Sequence, residues 1–234
     1  MNDKVVLVTG GNRGLGKAIA EGLARLGATV VLGCRDVKRG EAARDEIKQA
    51  TGNARVEVLP LDLADQQSLR GAARDFKQTY GRLDVLINNA AVYSAERKLT
   101  TDGLEMMFAA NHLGPFLLTN LLYDPEDLPA HSRILTITAP STTELNFDDL
   151  QGAQSWSAFR AFGPSKMCNL LFTFELVRRL EGSGVTVNAV HPGLVKSDLM
   201  HDTAAPIRWL LKLVSSSPQR AAAGPVYLAS PGEV

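Results

Sequence analysis

Thr9-Gly10-Gly11-Asn12-Arg13-Gly14-Leu15-Gly16 is the stretch of this sequence best equipped for chemistry. It follows the apolar run Val5-Val6-Leu7-Val8 and opens into Lys17-Ala18-Ile19, where helical spacing begins, so its glycines occupy a strand-to-helix turn. Glycine there lets backbone approach a pyrophosphate closely, and the amides and dipole of a helix start favour its negative charge. A ligand-free tight turn would use the same residues, but the strand before and the helix after weigh toward phosphate. Metal chemistry has no such support. Cys34 and Cys168 lie far apart with no further ligand spaced for zinc, and read as small buried hydrophobes in a reducing compartment.

The elements that must hold this turn follow from periodicity. Short β-branched runs at Val5–Thr9, Thr29–Cys34, Arg55–Leu59, Val85–Asn88, Arg133–Thr138 and Val185–Val190 alternate with helical patterns around Leu15–Arg25, Arg39–Gln49, Gln66–Thr79, Gly103–Leu122 and Phe159–Glu181. A final helix is marked by Ser217 as N-cap and Pro218 in its first turn, running to about Leu228. Repeated βαβ units predict an α/β fold, a doubly wound parallel sheet of at least six strands with helices on both faces. Runs such as Val30-Val31-Leu32 carry no polar alternation, as expected of strands covered on both sides. The irregular stretches 139–158 and 196–206 follow the fifth and sixth strands, so both should emerge at the carboxyl edge, where such sheets place ligands.

Composition narrows the function. The 234 residues are 45% apolar, enough for one core, and one domain over residues 1–234 is expected. Twenty-five basic residues balance 25 acidic ones with no basic run, which argues against nucleic acid or anionic lipid as partner. After Met1-Asn2-Asp3-Lys4 only four apolar residues precede Thr9, too few for a signal peptide, and no stretch reaches a membrane span, so a cytoplasmic protein is expected.

The glycine spacing carries a more specific signal. Gly10, Gly14 and Gly16 form the TGxxxGxG pattern and resemble the short-chain dehydrogenase/reductase family. Asn88-Asn89-Ala90-Ala91 resembles that family's NNAG segment, Asn111 falls where it places a helix-kinking Asn, Lys166 matches the Lys of YxxxK, and Pro192-Gly193 matches its PG after the sixth strand. Cys34-Arg35-Asp36, Asn111-His112-Leu113-Gly114, Asn146-Phe147-Asp148-Asp149-Leu150 and His191-Pro192-Gly193 are similar to the retinol dehydrogenase and WW-domain oxidoreductase branch. The resemblance implies a Rossmann-type fold in which Gly10, Gly14 and Gly16 wrap a diphosphate, with Asn12, Arg13 and Leu15 also binding the cofactor. It further implies Asp62 and Leu63 at the adenine, Asn88 and Ala90 at a ribose, Lys166 on the nicotinamide ribose, and Pro192 and Gly193 among the cofactor-binding residues. At the end of the second strand an acidic residue would accept from a free 2′-hydroxyl and a guanidinium would pair with a 2′-phosphate. Arg35, with Arg13 as a second cation, favours NADP(H), while Asp36 argues for NAD(H). The family continues into one more strand, so the C-terminal edge strand is expected to be absent here.

The resemblance also implies where the pattern breaks. Family chemistry moves a hydride between nicotinamide and a carbonyl or alcohol carbon while a Tyr phenol, acidified by the neighbouring Lys, moves the proton and a Ser hydroxyl orients the oxygen. In Phe162-Gly163-Pro164-Ser165-Lys166 the Tyr position is Phe162, and the Ser position aligns with Ala139, although Thr138 or Ser141 could supply a hydroxyl nearby. Asn111 and Lys166 remain as the catalytic helpers. Stand-in acids are His112, His191, Tyr93 and Ser141, each with a plain structural role as its alternative. Three explanations stay open: deliberate removal of two oxygens from an active reductase, natural chemistry such as imine or activated-alkene reduction, or a silent nucleotide-binding scaffold.

For the substrate, Tyr93 and the segments 139–156 and 195–214 are candidate walls. Ile207, Trp209, Leu210, Leu211, Leu213 and Val214 read as an apolar lid, a membrane-surface piece or sheet packing. The branch resemblance implies a hydrophobic small-molecule substrate, and the helix Phe159–Glu181 is a candidate face for a homodimer or homotetramer.

Overall fold

The computed structural model describes residues 1–123, 131–139, 143–196, 199 and 215–230. The parallel sheet is built from β1 (Val5–Thr9), β2 (Thr29–Cys34), β3 (Val56–Pro60), β4 (Val85–Asn88), β5 (Arg133–Ile137) and β6 (Thr186–Val190), ordered β3-β2-β1-β4-β5-β6. Order reverses between β1 and β4, the position at which a doubly wound sheet opens a crevice at its carboxyl edge. Helices α1 (Gly14–Arg25), α2 (Val37–Thr51), α3 (Gln66–Tyr80), α4 (Met106–Phe108), α5 (Gly114–Leu122), α6 (Ala158–Arg179) and α7 (Pro218–Ala229) cover both faces. The doubly wound parallel sheet expected from the periodicity is the one observed, in the Rossmann-type form that the resemblance implies.

Side-chain alternation explains the two layers despite the unbroken apolar strands. Val6 and Val8 of β1, with Val30 and Leu32 of β2, face Ile19, Leu23 and Ile47 of α1 and α2 and Ala222 of α7. Leu7 and Val31 point the other way, onto Leu69 and Phe76 of α3 and Leu118 and Leu122 of α5. Each strand residue therefore chooses a face by parity while both faces stay dry. Asp36 and Asp65 cap α2 and α3 by accepting from the amides of Arg39 and Ser68, and Gly52 and Gly81 close the same helices in the left-handed conformation. No helix of the described residues is long and apolar enough to cross a membrane.

One long element departs from expectation. The pattern at Gly103–Leu122 predicts one helix, but the chain turns at Gly103, begins α4 behind a Glu105 cap, and passes through a π-helical turn at Ala109–Leu113 before α5. The remaining strand and helix ends shift by at most two residues: β3 begins at Val56, β5 stops at Ile137, and α2 starts at Val37. The segment 207–214, the candidate lid, lies outside the described residues, as does Ser141.

Candidate active site

The glycine turn is held at the crevice by the residues that follow β4. The Thr9 hydroxyl accepts from the backbone amides of Asn89 and Ala90, both at 3.0 Å, and the Asn89 side chain donates to the Thr9 carbonyl at 2.8 Å. This latch fastens the ends of β1 and β4 on either side of the switch point. Thr9 and Asn89 were visible only as members of their motifs, because their bond depends on strands 80 residues apart becoming neighbours.

Two glycines have specific reasons. Gly14 has φ +52°, a conformation that side chains resist. At Gly16 a Cβ would lie 2.3 Å from the Gly10 carbonyl oxygen and 2.4 Å from the Asn89 side-chain nitrogen. Gly16→Ala must therefore push the loop off its latch. We expect a stability loss of about 2 kcal/mol in thermal or urea unfolding, accompanied by weaker nucleotide binding.

The start of α1 is open for an anion. Arg13 occupies its N-cap position in extended backbone, its side chain makes no capping hydrogen bond, and the first turn contains no acidic residue. Its amides are therefore available to a phosphate. Asn12 is half-buried and Arg13 exposed, so both border the turn, while Leu15 packs inward against the core. Beside it, Asn88 donates to the Thr119 hydroxyl at 3.1 Å, yet its buried Oδ1 has no hydrogen-bond partner. An orphaned buried acceptor is costly unless a ligand donates to it, and a ribose hydroxyl is a suitable donor. Ala90 sits next to it, tied by its amide to Thr9.

At the end of β2 the side chain of Arg35 is 68% exposed and only loosely paired with Asp62, Nη1 to Oδ2 3.8 Å. Asp36 is committed elsewhere, accepting from the Arg39 amide at 3.1 Å and pairing with the Arg39 guanidinium at 3.1 Å. Asp62 also accepts from the Ala64 amide at 2.9 Å. The Leu63 side chain lies in the core, so it is the backbone of Leu63 that borders this side of the crevice. Pro192 and Gly193 follow β6, with Gly193 exposed at φ +74°.

The second half of the site converges from β5, α6 and the π turn. Lys166 is 4% exposed, donates its Nζ to the Ile137 carbonyl at 3.3 Å and lies 5.7 Å from the centre of the Phe162 ring. Burial pushes its ammonium down to about 8. The Thr138 hydroxyl donates to the Lys166 carbonyl at 3.1 Å, which commits it to the backbone rather than to the place of the missing Ser at Ala139. Asn111, fully buried in the π turn, accepts from the Val92 amide at 2.7 Å and donates to the Val92 carbonyl at 3.0 Å and the Ser165 hydroxyl at 3.2 Å. Its own carbonyl accepts from the Asn169 side chain at 2.7 Å. Asn111 thus ties the segment following β4 to α6, and both to the π turn.

The stand-in acids separate clearly. His112 packs against Phe108, Phe116 and Phe172, with Nδ1 3.0 Å from the Asn169 side-chain oxygen, and burial lowers its proton affinity. That aromatic cage makes it a packing residue between α5 and α6. His191 is exposed in the loop after β6. Tyr93 lies directly against Phe162, ring centres 5.7 Å apart at 66°, and against Phe159 at 6.5 Å.

Comparison with known proteins agrees with this arrangement. The model of the short chain dehydrogenase family matches residues 4–207. Human retinol dehydrogenase 14 is 43% identical over 255 aligned positions, covering 100% of this chain and 76% of that protein. Human retinol dehydrogenase 11 is 46% identical over 224, covering 94% and 70%. A short chain dehydrogenase from Burkholderia cenocepacia, solved in complex with NADP, superposes with TM-score 0.79 at 26% identity over 98% of this chain and 91% of that one. Residues 4–207 and the retinol dehydrogenase relatives together place the chain in the short-chain dehydrogenase family, in its retinol dehydrogenase branch.

Proposed function

We propose that this chain binds NADP(H) across the carboxyl ends of β1, β2 and β4 and transfers hydride to or from a small lipophilic carbonyl compound or its alcohol, without the family's usual phenol and hydroxyl. The observation that carries this reading is the orphaned Asn88 Oδ1 beside the uncapped start of α1, a donor-seeking acceptor next to a phosphate-seeking turn. When bound, the nicotinamide supplies or accepts the hydride. The residues around it do the rest. Gly10, Gly14 and Gly16 admit the diphosphate, Arg13 and Arg35 counter phosphate charge, and Lys166 would donate to ribose hydroxyls from its dry seat against Ile137. Phe162 keeps the shape of a ring at the reacting carbon but has no proton to give, and Ala139 cannot orient an oxygen. Exposed Phe159 beside Tyr93 gives the mouth an apolar rim suited to a lipophilic substrate. The same reading pairs two copies through α5 and α6, where Phe116, Leu171, Phe174 and Val177 stand exposed.

NADP(H) is favoured over NAD(H) because Asp36 caps α2 and pairs with Arg39, whereas Arg35 stands exposed and only loosely paired, ready for a 2′-phosphate. A blue fluorescent protein that superposes on this chain with TM-score 0.77 at 28% identity was itself solved with NADPH. The test is fluorescence titration. NADPH should bind at least about tenfold more tightly than NADH, and Arg35→Ala should erase that preference while leaving NADH unchanged. Equal affinities in the native protein would overturn the NADP(H) assignment. Tight NADPH binding without hydride transfer to any carbonyl would leave a silent nucleotide-binding scaffold.

A further inference from the structure

If hydride moves in this site, a proton must still reach the carbonyl oxygen, and the ring that ordinarily delivers it has none. The sequence contains four tyrosines. Tyr123 is buried and donates to the Arg133 carbonyl at 3.3 Å, Tyr80 packs on Phe76 at the end of α3, and Tyr227 is exposed on α7. Tyr93 alone lies at the carboxyl edge, edge-on to Phe162. It is 9% exposed, and among the described residues its hydroxyl has no hydrogen-bond partner, so the O–H is not spent on the fold.

The backbone on both sides of Tyr93 is fixed. Asn111 clamps Val92 through both its amide and its carbonyl, and the Ser94 hydroxyl donates to the Glu96 carbonyl at 2.7 Å while accepting from the Glu96 amide at 3.3 Å. With its backbone held between two such pins and its ring packed against Phe162 and Phe159, Tyr93 is a positioned group, which is what general acid catalysis requires.

Building on the hydride-transfer reading above, we infer that the phenol of Tyr93 replaces the missing one at position 162 as the proton donor for carbonyl reduction. A bound nicotinamide would supply the hydride, losing a C–H bond and being oxidised as the carbonyl carbon is reduced, and the carbonyl π pair would take up the proton of Tyr93. The Tyr93 O–H bond breaks, the alcohol O–H bond forms, and the resulting phenolate is reprotonated by water. Oxidation of the alcohol runs the same transfers in reverse.

Decanal reduction by NADPH is measured for the native chain, Tyr93→Phe, Phe162→Tyr and the double variant. Tyr93→Phe should lower kcat at least about tenfold with KM nearly unchanged. In the Phe162→Tyr background the same change should cost less than about threefold, because a second phenol makes Tyr93 dispensable. A readout independent of turnover comes from [13Cζ]tyrosine NMR. The resonance lost in Tyr93→Phe should shift when decanol is added to the NADP⁺-loaded protein, while the other tyrosine signals stay in place. An equal loss in both backgrounds would mark Tyr93 as merely structural and overturn the inference. So would an unchanged rate in Tyr93→Phe, or no reduction by a native protein that binds NADPH. Absence of NADPH binding is a different failure, one that removes the cofactor reading itself.

Discussion

Phe162→Tyr combined with Ala139→Ser is expected to raise the rate of lipophilic aldehyde reduction by about tenfold at pH 7, because it places a phenol beside the Lys166 ammonium and returns a hydroxyl that orients the carbonyl oxygen, on top of the acid catalysis that Tyr93 supplies. The two changes return only oxygen atoms to a site whose supporting parts are already assembled. Lys166 sits 5.7 Å from the centre of the ring at 162, and its ammonium would draw down the proton affinity of a phenol placed there. Asn111 and Ser165 hold α6 in register with the segment after β4, and the Ser165 hydroxyl donates to the Phe162 carbonyl at 2.7 Å, fixing the backbone from which the new phenol would hang. Thr138 does not stand in for the missing Ser, because its hydroxyl is spent on the Lys166 carbonyl. Stopped-flow hydride transfer with NADPH in excess reads the chemical step directly. A restored pair that binds NADPH as the parent does but transfers hydride no faster would show that the two absent oxygens are not what limits this site.

The parts of this arrangement that were legible in the sequence are those written within one element or one turn. The apolar runs at Val5–Val8 and Val30–Leu32 announce buried parallel strands, and the glycines at 10, 14 and 16 announce a strand-to-helix turn, because each signal is complete within a few residues. The π-helical turn was not legible. It is stabilised by the backbone of Val92, which Asn111 reaches across 19 positions, and helical spacing from Gly103 onward carries no trace of that partner. The role of Asp36 was likewise ambiguous from its position alone. It could face a ribose or cap a helix, and the choice is made by where α2 begins, at Val37 instead of Arg39. His112 beside Asn111 suggested an acid near the chemistry, but the direction of a helical side chain depends on the local winding. The observed turn sends it among phenylalanines of α5 and α6.

Lys166→Met should make the protein more stable while weakening its hold on the nucleotide. The Lys166 ammonium is buried, desolvation is the cause of its lowered proton affinity, and no described carboxylate pairs with it. Burial lowers Lys166 from the ordinary 10.5 to about 8, a gap that corresponds to about 3 kcal/mol. The sign follows from proton counting. Between about 8 and 10.5 the unfolded chain holds a proton that the folded chain has released, so stability rises with pH through that window; below it both states are charged and the full cost is present. Replacing the ammonium by the apolar end of methionine, of similar length, should therefore add up to about 3 kcal/mol at pH 7, less what is lost with the bond to the Ile137 carbonyl. The advantage of the variant should shrink steadily from pH 8 to 10.5, and urea unfolding of both proteins across that range isolates it, since all other groups cancel in the difference. The same substitution removes the proposed donor to the ribose, so NADPH titration should show at least about tenfold weaker binding. A variant that is less stable at pH 7, or whose advantage does not change with pH, would mean that Lys166 is accommodated without cost and that its burial is not the price of the site.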